Sequence, residues 1–457
     1  MPVAHFSRFR RWIEADKPMA RIVRNMLWLG SSKGLGAVLS LAYLGIATRT
    51  LGVSDFGRFA LVLSIGALIA TFMQFDCGRA ILRFGPHYLH AGDKTSLGRL
   101  IALCRLFDIT TALIGCGIAW VIFSYAAPWF GWTADIATTG FFYCCVLLLA
   151  TRSTPMGLLR LHNRFDLSAY AETMVPIVRM IGALILLFMQ PGITGFLVVW
   201  AASEMVSAIT FWVLAYMVDK EALHLRHNLG IKAISRKEPQ LLYFLGVLNI
   251  GSTLTGSVKQ VPVLALGSFV SPAAAGLFRL AYQLTQALSK VATLLARSAY
   301  AELNHAHASG GIDALRKLLA KANRFALVSA IILILIIALL GKPILWLIAG
   351  KAFISAYPLL LVLGIAAAID FMAVNYEPAL LAATDGKTAL KLRFVGSTLL
   401  LILLALLLPA IGAAGAAWAM AGAAVANWLL FVLAVRKYVH GPVKSGIAET
   451  EDHPDFN

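Results

Sequence analysis

Ile331-Ile332-Leu333-Ile334-Leu335-Ile336-Ile337-Ala338-Leu339-Leu340 is apolar at every position. A strand of an outer-membrane barrel has about ten residues, but it alternates apolar with polar because one face meets lipid and the other the lumen. This run has no such period and reads as helix with apolar surroundings on all sides. Extended both ways it covers Phe325 to Ala349, and about twenty apolar residues in a helix span the roughly 30 Å of hydrocarbon in a bilayer.

The rest of the chain repeats the pattern. Of 457 residues 60% are apolar and 13% charged, and the mean hydropathy is +0.80, more than a soluble core of this size needs. Spans are expected at Trp28 to Ala47, Phe59 to Phe75, Leu100 to Tyr125, Ile136 to Leu158, Ala169 to Met189 and Gly195 to Val218. The second half gives Leu241 to Phe269, Leu277 to Ala299, Phe325 to Ala349, Tyr357 to Ala383, Leu392 to Leu408 and Gly415 to Val435. The expected fold is therefore an all-α polytopic membrane protein of about twelve transmembrane helices in two six-helix lobes.

A net charge of +17 would suit nucleic acid if it were clustered on one surface, but it is not. Most of the 39 lysines and arginines fall in alternate polar segments: the N-terminus, Arg79 to Arg99, Arg152 to Arg164, Lys220 to Lys237, Arg316 to Arg324, Lys387 to Arg393 and Arg436 to Lys444. The intervening loops hold only Arg49, Arg58, Lys342 and Lys351. Basic loops stay in the cytoplasm, so both termini are expected inside a bacterial inner membrane, with the bilayer and not nucleic acid as partner. The polar start and long first apolar stretch do not resemble a cleaved signal. Cys77, Cys104, Cys116, Cys144 and Cys145 lie in or beside apolar spans, where no disulfide is expected.

An internal echo organises the chain. Leu51-Gly52 and Phe56-Gly57-Arg58-Phe59-Ala60-Leu61 return as Leu266-Gly267 and Ala275-Gly276-Leu277-Phe278-Arg279-Leu280, and Gly192-x-x-Gly195 returns as Gly412-x-x-Gly415, each roughly 215 to 220 residues later. Six spans per repeat make both halves enter from the same side, so a pseudo-two-fold axis along the membrane normal and a central cleft follow. The expected divisions are a cytoplasmic segment 1–24, an N-lobe 25–218, a cytoplasmic linker 219–239, a C-lobe 240–438 and a disordered cytoplasmic tail 439–457.

No catalytic motif is found. Gly386-Lys387-Thr388 resembles the end of a P-loop, but Leu381 occupies the place of its first glycine. His162, His305 and His307 have no partner at metal-ligand spacing, so neither a metal site nor a cofactor is expected. The informative residues are charges inside apolar spans, each costing about 2.5 to 3.5 kcal/mol at a helix centre and so expected to face protein or water. Arg279, Gln283, Gln286, Lys290, Thr293 and Arg297 step by three or four along one face. Asn249, Thr253, Gly256, Lys259 and Gln260 form a second stripe, and Glu172, Pro176 and Arg179 a third.

Lys33, Arg179, Lys259, Arg279 and Lys290 are accordingly expected to line a cationic cavity that attracts an anionic headgroup. Asn249, Gln260, Gln283 and Gln286 add polar lining, and Glu172, Glu204, Asp370 and Glu377 are candidates for coupling to a proton or sodium counter-ion. Structural pairing of Glu172 with Arg179, or of Arg105 with Asp108, is the competing expectation for those charges.

The run Thr48-Arg49-Thr50-Leu51-Gly52-Val53-Ser54-Asp55-Phe56-Gly57-Arg58-Phe59-Ala60-Leu61 resembles the first-to-second-helix signature of polysaccharide exporters and O-antigen flippases. These belong to the multidrug, oligosaccharidyl-lipid and polysaccharide exporter superfamily. Ala274-Ala275-Gly276-Leu277-Phe278 and the region Gly412 to Trp418 extend the resemblance over most of the chain. It implies an alternating-access, non-enzymatic flippase for a polyprenyl-diphosphate-linked glycan, driven by an ion gradient and working beside glycan-assembly proteins. Many relatives carry an acidic residue late in the seventh helix, where this chain has Gln260-Val261-Pro262-Val263. A multidrug or metabolite exporter of the same fold is the nearest alternative, a membrane glycan polymerase or ligase the alternative from another class, and a non-transporting scaffold the third.

Overall fold

Backbone polar groups in hydrocarbon must be satisfied within their own segment, and a helix does this. Among the described residues the computed structural model is helical along nearly the whole of the expected spans and has no strand. It describes the backbone over 18–189, 192–223, 237–304, 311–374, 376, 380 and 387–439, and the side chains of those residues except 18–33, 35, 290–304, 311–322, 387, 438 and 439. The elements are α1 Pro18–Met73, α2 Cys77–His90, α3 Lys94–Tyr125, α4 Ala134–Leu149, α5 Ser153–Leu161, α6 Phe165–Met189 and α7 Ile193–Val218 in the first half. The second half holds α8 Leu241–Phe269, α9 Pro272–Asn304, α10 Gly311–Ala349, α11 Tyr357–Ala373 and α12 Lys387–Val439.

Among the described residues nine helical stretches are long and apolar enough to cross a membrane. Two of them, Gly36–His90 and Thr388–Lys437, each make two passes, and α9 adds another of 33 residues. The all-α, two-lobed, twelve-pass arrangement expected from the sequence is the architecture found. Residues such as Phe188 (89% exposed) and Leu339 (74%) point outward, as side chains do whose solvent is lipid.

Three boundaries differ from the expectation. The loops expected at 48–58 and 409–414 are helix: α1 turns at Gly52 (φ 72°) and α12 at Gly412 (φ 58°), so one glycine in a left-handed conformation replaces each loop. Gly192, the sequence partner of Gly412, has an ordinary φ of −78°; the Gly-x-x-Gly echo is not a shared conformation. The expected span Ile136 to Leu158 breaks at 150–152 into α4 and α5, where Pro155 lies in the first turn of α5 and Trp212 Nε1 donates to the freed Thr151 carbonyl at 3.0 Å. Within the basic segment 79–99, α2 buries Gly78, Ile81, Gly85 and Tyr88 while Arg79 and Arg83 stay outside, and Asp76 caps its first turn by accepting from Arg79 N–H.

The halves meet along two lines. At one end the echoed motifs pack on each other: a Cβ on Gly57 would run into the Pro272 carbonyl, and one on Gly276 would lie 2.8 Å from Val53 O and 3.0 Å from Gly57 Cα. Residues 57 and 276 are sequence equivalents, and a Cβ on Gly276 also meets Gly57 itself, so the two echoed motifs pack directly on each other, as two-fold related elements do on their axis. From there α8 runs beside the second arm of α1, with Gly267 against Leu61, Gly256 against Thr71, and Thr253 Oγ1 and Asn249 Nδ2 donating to the carbonyls of Thr71 and Phe72 at 3.2 and 3.3 Å.

A polar clasp sits at the other end. Tyr88 donates to Glu238, at the end of the linker, at 2.8 Å, and Arg83 lies 4.5 Å from the Phe244 ring centroid of α8. Asp93 caps α3, and hydrogen bonds from Ser96 hold its carboxyl below the ordinary range.

At the Gly57 end a second tie crosses the lobes. Arg49 Nε donates to Ile348 O at 3.2 Å, and Nη2 to the carbonyls of Trp346 and Leu347, in the last turn of α10. Arg49 is exposed, so its loss should cost only about 1 kcal/mol of closure. In a background without native cysteines, Arg49→Ala should shift spin-label distances between Ser54→Cys and Lys351→Cys several-fold toward an open population; an unchanged distribution would show that Arg49 does not hold this end.

Candidate functional site

Two cavities flank α9. The first, about 410 Å³, lies between the lobes and is lined mainly by α1, α4, α6 and α7, with Arg279 and Gln283 reaching in from α9. The second, about 440 Å³, lies within the C-terminal lobe among α8, α9, α11 and α12. Neighbouring faces of α9 serve both, since Tyr282, Gln286 and Ser289 turn to the second. The single face read from the sequence is thus divided.

The wall of the first cavity is an ion-pair network. Arg179 Nη2 donates to Glu204 Oε1 at 2.6 Å, its Nε to Ser203 Oγ at 3.0 Å and its Nη1 to Tyr43 Oη at 3.4 Å. The guanidinium also sits 5.0 Å from the Trp200 ring centroid, and Trp200 meets Tyr43 edge-on. The other oxygen of Glu204 pairs with Arg152 Nη2 at 2.8 Å, and Glu204 is 4% exposed. Desolvating two guanidinium groups and a carboxylate is tolerable only with such pairing.

Arg279 is held differently. Its Nη1 donates to Gln260 Oε1 at 3.1 Å, while its Nε and the neighbouring Gln283 Oε1 are buried with no hydrogen-bond partner among the described residues. The charged lining of the first cavity is two guanidinium groups, Arg179 and Arg279, against one carboxylate, Glu204, which leaves it net cationic. Buried donors and acceptors are seldom left unsatisfied, and both of these belong to residues that line the first cavity.

The remaining candidates scatter. Lys259, Gln286 and Asp370 line the second cavity. Asn249 serves the α1–α8 contact, and Gln260 orients Arg279. Glu172 pairs with Arg160 at 2.8 Å, and Arg179 with Glu204, so the expected Glu172–Arg179 pair is replaced by two others. Asp108 accepts from Thr154 at 2.6 Å. The side chains of Lys33, Lys290 and Glu377 lie outside the described residues. Tyr43, Trp200 and Arg152 join the site without a signal in the sequence: the aromatics read as span filler and Arg152 as loop charge, and only the α4–α5 break brings Arg152 inward.

A family model described as polysaccharide biosynthesis protein matches residues 22–300. The chain is 25% identical over 355 residues to the inner membrane protein YghQ of Escherichia coli (strain K12), covering 77% of this chain and 98% of that protein. Among solved structures it resembles an inward-facing multidrug resistance MATE transporter of the MOP superfamily, with a TM-score of 0.68 at 14% identity over 89% of this chain and 96% of that one. It also resembles the lipid II flippase MurJ in an inward closed conformation, at 0.66 and 15% over 90% and 87%.

Proposed function

The chain belongs to the polysaccharide biosynthesis protein family, within the multidrug, oligosaccharidyl-lipid and polysaccharide exporter superfamily, and from that premise we propose that it flips a polyprenyl-diphosphate-linked oligosaccharide from the cytoplasmic to the periplasmic leaflet of the bacterial inner membrane. The observation that carries this reading is Arg279, a guanidinium in a net cationic cavity between the lobes whose buried Nε–H has no partner among the described residues. A diphosphate presents oxygens at the spacing a guanidinium fork grips, and a cavity of this sign repels the cationic drugs that a multidrug exporter would carry.

Arg179 serves beside it as a fixed charge, its fork occupied by Glu204, Ser203 and Tyr43. The tie at Gly57 and Arg49 closes the cavity toward the periplasm, in the orientation given by the basic loops. Alternating access then opens that end as the clasp end closes, with the polyprenyl tail in lipid. An ion gradient drives the cycle. Glu172 and Glu204, two of the candidate coupling carboxylates, are each engaged by arginine.

Replacing Arg279 with glutamine should lower surface glycan about ten- to a hundredfold at matched protein level, the loss of one charged hydrogen-bonding group to phosphate. Arg279→Lys should restore part of it. Wild-type export by Arg279→Gln would remove the ground for this assignment.

A further inference from the structure

The second cavity has no part in the phosphate reading, yet it is built from chemistry-bearing side chains. Its charged lining comprises Lys259 from α8, Asp370 from α11 and Arg393 from α12. Asp370 and Lys259 are both exposed to the cavity, and neither has an ion-pair partner among the described residues. Opposite charges that line one cavity without pairing leave each able to meet a polar ligand. Neutral groups that donate and accept surround them: Tyr282, Gln286, Ser397 and Asn427. Apolar faces, among them Leu363, Phe371 and Phe431, complete the wall.

A dedicated cation site fits this lining poorly. Two cationic side chains oppose one carboxylate, and no group of three or more His, Cys, Asp or Glu able to hold a metal ion exists among the described residues. A bare anion would leave Asp370 repelled. A ligand rich in hydroxyl groups satisfies every wall at once, because each hydroxyl donates to a carboxylate or amide oxygen and accepts from an ammonium, guanidinium or amide N–H.

We infer that the C-terminal lobe cavity binds the sugar headgroup of the lipid-linked substrate and selects the glycan, with Asp370 and Asn427 as its principal hydroxyl partners. This rests on the reading of Arg279 as the diphosphate contact. Gln286 lies seven residues beyond Arg279 on α9, a rise of about 10 Å, so a diphosphate at the first cavity places its sugars within reach of the second.

The test uses the purified full chain in lipid nanodiscs and two probes, undecaprenyl diphosphate and undecaprenyl diphosphate carrying a neutral trisaccharide. The wild type should prefer the glycosylated probe. Asp370→Asn and Asn427→Ala should each reduce that preference about tenfold while binding the bare probe as the wild type does, which also shows that they fold. Arg279→Gln should weaken both probes. An unchanged preference in both cavity variants overturns the inference and leaves the phosphate reading standing, as does loss of sodium dependence without loss of preference in Asp370→Asn. Equal weakening of both probes by the cavity variants overturns it by making the second cavity part of the phosphate site. Failure of the wild type to bind either probe removes the phosphate reading and this one together.

Discussion

Gly57→Leu is expected to insert into the membrane at normal levels and to lose transport almost completely. The Cα of Gly57 faces the Pro272 carbonyl so closely that a single methyl group already collides with backbone. A side-chain neighbour could rotate away, but a carbonyl fixed at the first residue of α9 cannot. Overpacking typically costs about 1 to 3 kcal/mol, and here the whole cost falls on the state in which the lobes touch. About 3 kcal/mol shifts a two-state equilibrium roughly a hundredfold, enough to hold this end open. Surface glycan should fall to background, and the Ser54–Lys351 spin-label distance should lengthen. Gly57→Ala should act in the same direction more weakly, while Gly117→Leu, where a Cβ meets nothing within 4 Å, should be neutral. Export at the wild-type level by Gly57→Leu would mean that the lobes do not close through this contact.

Glu204→Ala should produce the largest loss of stability. Glu204 is the shared partner of Arg179 and Arg152, with side-chain exposures of 6%, 15% and 32% in that order. Removing one partner of a buried ion pair costs about 3 to 5 kcal/mol because the other charge stays behind uncompensated, and here two remain. Thermal unfolding in detergent should begin many degrees lower than in the wild type. Glu204→Gln, which keeps the shape and two acceptor lone pairs, should recover part of the loss. A melting curve that does not move in Glu204→Ala would remove the network as a stabilising element.

The helical class and the span count are legible in the sequence because hydropathy acts over twenty residues at a time, and the run Ile331 to Leu340 has no polar residue to break its reading. The turns at Gly52 and Gly412 are not legible, since polar neighbours such as Arg49, Ser54 and Asp55 look like a loop whether or not helix continues through them. At the site, spacing alone finds Arg279 and Gln283. Their division from Gln286 depends on which neighbour each face of α9 meets, and periodicity carries no information about that. The partners of Arg179 are ambiguous for the same reason: Glu172 is two turns away on its own helix, while Glu204 arrives from the next one.

Carriage of a lipid-linked diphosphate through the cationic cavity between the lobes is tested most directly by translocation in proteoliposomes. The purified chain, wild type against Arg279→Gln, would be given undecaprenyl-diphosphate-linked oligosaccharide, with transfer read by access of an external glycan-modifying enzyme. Transfer by the wild type is predicted, and transfer near the protein-free rate for Arg279→Gln. Equal transfer by the two proteins, or none by the wild type under an imposed ion gradient, would contradict it.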